Sequence, residues 1–132
     1  MSASALAQDM PQVQIELKTS TGTHMFTTEV ASTNETRAKG LMFREKMAPD
    51  HGMLFTYNTP RSITMWMKNT PLSLDMIFIR ASGQVATIAP NTVPFSLDYI
   101  TSGEDVSYVL EVIAGTAERI GLEPGDQVSI KR

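Results

Sequence analysis

The chain has 132 residues, 42% hydrophobic and 19% charged, with a formal charge of -3. That length suits one domain around one core, and no apolar run approaches the roughly 20 residues that a membrane-spanning helix needs. The acidic balance argues against nucleic acid as a partner, and the absence of cysteine removes disulfides, thiolate metal sites and cysteine nucleophiles together.

Residues 1–11 read as a flexible tail. Within them Ala5, Leu6 and Ala7 stand before Gln8 in the small-x-small form of a signal-peptidase site, without the apolar segment that precedes one. The expectation is a signal-peptide remnant on an exported protein, periplasmic or secreted, with its domain at 12–132. From Gln12 the pattern alternates. Val13, Ile15 and Leu17 recur every second residue, Thr21 and Gly22 turn the chain, and 23–30 completes a hairpin.

Thr33 or Asn34 is a good N-cap, so the segment 34–44 is predicted helical. On such a helix Arg37, Gly40, Leu41 and Arg44 fall on one stripe. Gly40 within it, worth about 1 kcal/mol less than Ala, implies a close backbone approach. Strands are predicted at 52–57, 62–67, 73–80, 84–89, 106–113 and 127–131, with an aperiodic Pro-bearing stretch through Pro94. A short helix at 116–122 ends at Gly121 or the Pro124-Gly125 turn. The fold class is therefore mainly β, a sandwich-like or jelly-roll-like single domain of about eight strands with one or two short helices.

The stretch MWMKNTPLSLDMIFIR at 65–80 carries the first chemical question. As a strand, it puts Asp75 on a face with Ile77 and Ile79 and puts Leu74, Met76 and Phe78 on the other, so the acid lies in or beside the core. Glu111 repeats the problem on a face with Val109 and Ile113. A buried carboxylate costs several kcal/mol unless partners compensate. The simplest expectation is a structural network in which Arg37 and Arg44 reach down and pair with Asp75 and Glu111. The alternative makes Asp75 and Glu111 the acid and base of a glycoside-type envelope hydrolase. In a third arrangement the arginines hold an anionic ligand and the acids take backbone donors.

Trp66, the single tryptophan, is followed by a turn at Lys68, Asn69, Thr70 and Pro71. It reads either as a core residue, with Asn69 folded back on the turn, or as a rim that stacks on a ligand such as a sugar ring while Lys68 and Asn69 add polar contacts. Met42, Met47, Met53, Met65, Met67 and Met76 cluster with His51. Soft thioethers make His51, Met65 and Met67 a minor candidate for Cu(I), against the plainer role of core filling. Nucleophile-elbow, zinc-protease, phosphate-loop and dinucleotide fingerprints do not occur, so no cofactor is implied.

Three blocks carry a resemblance: RAKGLMFR at 37–44 leading to GMLF at 52–55, WMKNT at 66–70 with LDMIF at 74–78, and YVLEVIAG at 108–115 with PGD at 124–126. On these the chain resembles DUF192, a family of exported bacterial proteins of unknown function, over nearly everything from Val13 onward. One departure is Met65, where the family commonly has an aromatic residue. The resemblance implies a compact β domain and export, and it brings no activity. The expected role is ligand binding or accessory work in the cell envelope without catalysis, through Arg37, Arg44, Trp66, Lys68, Asn69, Thr70 and Asp75. The expected partner is a small molecule, a glycan or an envelope protein.

Overall fold

Alternation in the first 20 described residues folds as read. The computed structural model describes residues 10–131, so the Ala5 to Gln8 pattern lies outside the described residues. β1 (Gln12–Thr19) and β2 (Gly22–Ala31) pair antiparallel, with Ile15 opposite Phe26 and both buried. β3 (His51–Arg61) then runs parallel to β2. A parallel neighbour cannot be reached by a tight turn, and the crossover carries α1 (Asn34–Lys39). The chain continues through β4 (Thr64–Met65), β5 (Leu74–Ile79), β6 (Val85–Ala89), β7 (Ile100–Thr101), β8 (Val106–Ile113), α2 (Thr116–Ile120) and β9 (Gln127–Lys131).

Seven strands form one sheet in the order β6-β5-β8-β3-β2-β1-β9, and β4 pairs with β7 in a small second sheet. The large sheet curls until its two edges meet at one end. There Gln84 bridges Gln127, Val128 N donates to Gly83 O at 2.8 Å, and Val85 N donates to Asp126 O at 2.8 Å. This contact covers one end of each edge strand and leaves the sheet a half-barrel. The mainly β single domain with two short helices is as expected. Its layering comes from the curl of one sheet, and the strand predicted at 62–67 shortens to Thr64 and Met65, paired with Ile100 and Thr101 from beyond the aperiodic stretch.

Each face of the sheet has its own core. Inside the curl pack Ile15, Leu17, Phe26, Leu54, Ile77, Leu110, Val112 and Val128, together with Ala117 and Ile120 of α2. On the outer face Met53, Phe55, Leu74, Met76, Phe78 and Val109 pack under Leu41, Ile63 and Met67. The pairing register decides what lies beside what. Glu29, Met53, Glu111, Met76 and Ala89 form one row across five strands, and Asp75 lies opposite Val112 in the neighbouring row. Neighbouring rows project to opposite faces.

α1 is shorter than predicted. Thr33 and Thr36 form a reciprocal capping box at its start, which satisfies two otherwise orphaned donors. At its end Gly40 takes φ 49° and ψ -131°, and a Cβ there would stand 3.1 Å from the Phe55 ring. Only glycine takes that backbone easily at that distance, so the close approach is real and the helix stops there. The predicted stripe from Arg37 to Arg44 does not form, and Arg44 lies beyond the helix. No helix among the described residues is long and apolar enough to cross a membrane.

Candidate functional site

Asp75 is fully buried on β5, inside the curl, and has no arginine beside it. Its Oδ1 accepts from Asn91 N and its Oδ2 from Ala117 N, both at 2.9 Å. α2 begins at Gly115, which offers no side-chain cap. Asp75 supplies the missing acceptor from a neighbouring strand. It is a structural anchor joining β5, α2 and the 91 turn.

Arg44 is also spoken for. Its guanidinium makes a two-pronged pair with Glu29 on β2, and each partner pushes the other's pKa away from neutrality through that bond. Arg37 donates to Thr56 O at 2.8 Å and to Asn34 Oδ1 at 2.7 Å, and its guanidinium lies 4.9 Å from the centre of the Tyr57 ring. The expected network of two arginines with Asp75 and Glu111 is therefore absent. The expected carboxylate pair fails as well, because the two acids project to opposite faces of the sheet and cannot flank one bond.

Glu111 is the exception among the acids. It is 4% exposed and forms no hydrogen bond or ion pair with any described residue. Met53 and Met76, both 0% exposed, stand beside it across the ladder. This apolar setting pushes its carboxyl up to about 8 by burial alone, so the group is mostly the neutral acid at pH 7.

Its carboxyl forms part of the wall of a cleft of about 540 Å³ on the outer face. One side is α1 and the turn after it, with Arg37, Gly40, Leu41 and Met42. The other is the end of β3 and the chain beyond, from Tyr57 and Arg61 to Lys68 and Thr70. Arg61 lies 4.8 Å from the centre of the Tyr57 ring, and Lys68 lies 5.1 Å from that of Trp66. Arg37, Arg61 and Lys68 have no carboxylate partner among the described residues. Elsewhere Arg44 and Arg80 are each held by a glutamate in two-pronged pairs. The cleft is thus a positive patch on a negative protein, and its one acid is held neutral.

Trp66 stands at the rim, 39% exposed and 6.3 Å from Tyr99 between ring centres. Asn69 is not part of the cleft wall. It takes φ 54°, a left-handed conformation that asparagine tolerates better than most residues, and its carbonyl accepts from Phe43 N at 2.7 Å. Thr70 is buried, lines the cleft, and bonds Lys68 O at 2.9 Å. Phe95 N donates to Thr70 O at 3.1 Å and Met67 N to Ser96 O at 3.0 Å. Three loops are thereby locked into one rim.

The thioethers of Met42, Met65 and Met67 share the cleft, but His51 does not join them. It sits exposed at the start of β3, 3.8 Å from Asp50. The set of His51, Met65 and Met67 is therefore not assembled, and no group of three or more His, Asp or Glu among the described residues could hold a metal.

The DUF192 family profile, described as "Uncharacterized ACR", matches residues 15–130. The chain belongs to the DUF192 family. Two solved structures are similar to this DUF192 domain, each with a TM-score of 0.90 and each covering 92% of it. One is a Sinorhizobium meliloti 1021 protein proposed to be a transcription regulator, 47% identical and 95% covered. The other is a protein of unknown function from Novosphingobium aromaticivorans DSM 12444, 37% identical and 87% covered. No curated protein matches.

Of the residues expected at a site, this DUF192 domain brings Arg37, Trp66, Lys68 and Thr70 together with Glu111, and leaves Arg44, Asn69 and Asp75 outside. Tyr57 and Arg61 were missed. Their signal was weak: TYNTPR at 56–61 reads as a strand running into a turn, and only the folded cleft shows both facing Glu111's side of the sheet.

Proposed function

We propose that this DUF192 domain binds a small anionic molecule in the outer-face cleft and does so without catalysis. The observation that carries the reading is the charge arrangement: Arg37, Arg61 and Lys68 without carboxylate partners around a cleft whose one acid, Glu111, is buried and neutral. Arginines left without protein anions beside a concave, partly apolar cleft suit a ligand that brings its own negative charge. The hydrolase reading lacks its second carboxylate. The regulator role proposed for the Sinorhizobium protein finds little support in this chain, whose helices among the described residues span six and five residues and whose charge is -3, because groove recognition uses a longer helix and a basic face.

The same proposal places the domain in the cell envelope, on the strength of the Ala5 to Gln8 pattern. Mass spectrometry of the precursor expressed in a Gram-negative host checks this: cleavage after Ala7 supports export, and an intact cytoplasmic product refutes it.

Binding is tested by thermal shift and calorimetry with naphthoate, octanoate and inorganic phosphate against the neutral naphthamide and octanamide. At least one anion is expected to raise the melting temperature by several degrees, the size of effect that saturation near 100-fold above Kd gives (about 2.7 kcal/mol). Arg61→Ala is expected to weaken that binding at least about tenfold. Equal binding of the neutral amides, or no response to any anion, overturns the proposal.

A further inference from the structure

Resting on that reading, we infer that the cleft takes an anion with a flat apolar body, an aromatic carboxylate, whose charged group is met at depth by Glu111 acting as a protonated hydrogen-bond donor. Three features of the cleft converge on this. First, Glu111 has a carboxyl with no protein partner, although it is more than nine-tenths buried and opens into the cleft. Its oxygens are not sealed from solvent as Thr28 Oγ1 is, so a ligand in the cleft can reach them and supply the partner the fold does not.

Second, the groups around Glu111 favour an anion at its depth. Tyr57 lies close enough to Glu111, Arg37 and Arg61 for all three to act on its hydroxyl, although burial is the larger influence and raises its pKa. The charged groups facing the cleft are Arg37 and Lys39 from α1, Arg61 from β3 and Lys68 from the loop beyond β4. A carboxylate seated beside Tyr57 therefore meets O–H donors from Glu111 and Tyr57 and positive charge from the arginines. Third, three thioethers and two rings, Met42, Met65 and Met67 with Phe55 and Trp66, stand in the remaining wall among aliphatic residues and a few small polar ones such as Ser62 and Thr64. Sulfur and ring edges favour an aromatic body over a polar one, and methionine adapts to its outline.

The protonation state of Glu111 sets the pH dependence. While protonated, the carboxyl donates to the ligand's oxygen; once ionised, it faces that oxygen as an unpaired like charge. Affinity for an aromatic carboxylate is therefore expected to hold in mild acid and fall as pH rises through about 8.

Calorimetry with naphthoate at about pH 6.5 and about pH 9.5, where the probe itself stays ionised, tests the inference on wild type, Glu111→Gln and Glu111→Ala. Wild type is expected to lose at least about tenfold in affinity between the two pH values. Glu111→Gln keeps a donor and is expected to bind with a flat pH profile, while Glu111→Ala binds weakly at both. A wild-type affinity unchanged across this range, or the same loss in Glu111→Gln, overturns the role of Glu111. Octanoate or phosphate binding more tightly than naphthoate overturns the aromatic class while leaving anion binding intact. Failure of every anion to bind wild type at either pH refutes the site reading itself.

Discussion

Glu111 keeps its proton because the ladder around it offers nothing polar: methionines flank it on both neighbouring strands, and Val109 precedes it on its own face. This has a consequence for stability. The unfolded chain releases the Glu111 proton near 4.5, whereas the folded chain holds it to about 8. Stability from this residue is thus complete below about pH 4.5, declines as pH rises, and reaches its floor above about pH 8. The full penalty is on the order of 5 kcal/mol, and less where cleft water screens the ionised form. Urea unfolding of wild type and Glu111→Gln should show the variant gaining several kcal/mol on wild type between about pH 5 and about pH 9. Parallel stability curves would mean that Glu111 ionises normally. The sequence announced an unusual acid here, since alternation alone placed Glu111 among apolar neighbours. It did not say that no arginine would come, because Arg44 is drawn to Glu29 across a pairing between distant segments.

Asp75 shows the same limit at the scale of elements. Its burial was legible in LDMIF, but its partners belong to α2 and to the 91 turn, 42 and 16 residues away in sequence. Strand parity tells which face a residue takes, whereas register and crossover tell what is waiting there, and those are set by the whole sheet. Asp75→Ala leaves the buried Ala117 amide and the part-buried Asn91 amide without acceptors, and the helix start uncapped. A loss of about 2 to 4 kcal/mol is expected in urea unfolding, with faster hydrogen exchange at Asn91 and Ala117. A loss under about 0.5 kcal/mol would remove the anchor role. α1 stops short of Arg44 for a reason visible in the chain: Gly40 marks a close approach, and a glycine that must take positive φ also ends the helix. β7 escaped notice because two residues carry no periodicity.

The whole molecule depends on the meeting of its two sheet edges. Gly83 sits at that seam with φ 90°, and a Cβ there would come 2.6 Å from Val128 O. Gly83→Ala must therefore open the seam or strain the backbone, and a cost of about 2 to 4 kcal/mol is expected from thermal or urea unfolding. An unchanged stability would show that the edges need not touch. Mainly β class, the order of every strand but β7, and the two short helices follow from local alternation and turn chemistry. The curl and the cleft did not, because both arise from contacts between strands far apart in the chain.

The proposed anion recognition on an acidic protein rests on Glu111 being neutral at the foot of a positive cleft. A carbon-13 NMR titration of the Glu111 side-chain carboxyl reads that state directly. The account predicts a midpoint at about 8, and a midpoint near the ordinary 4.5 would contradict it.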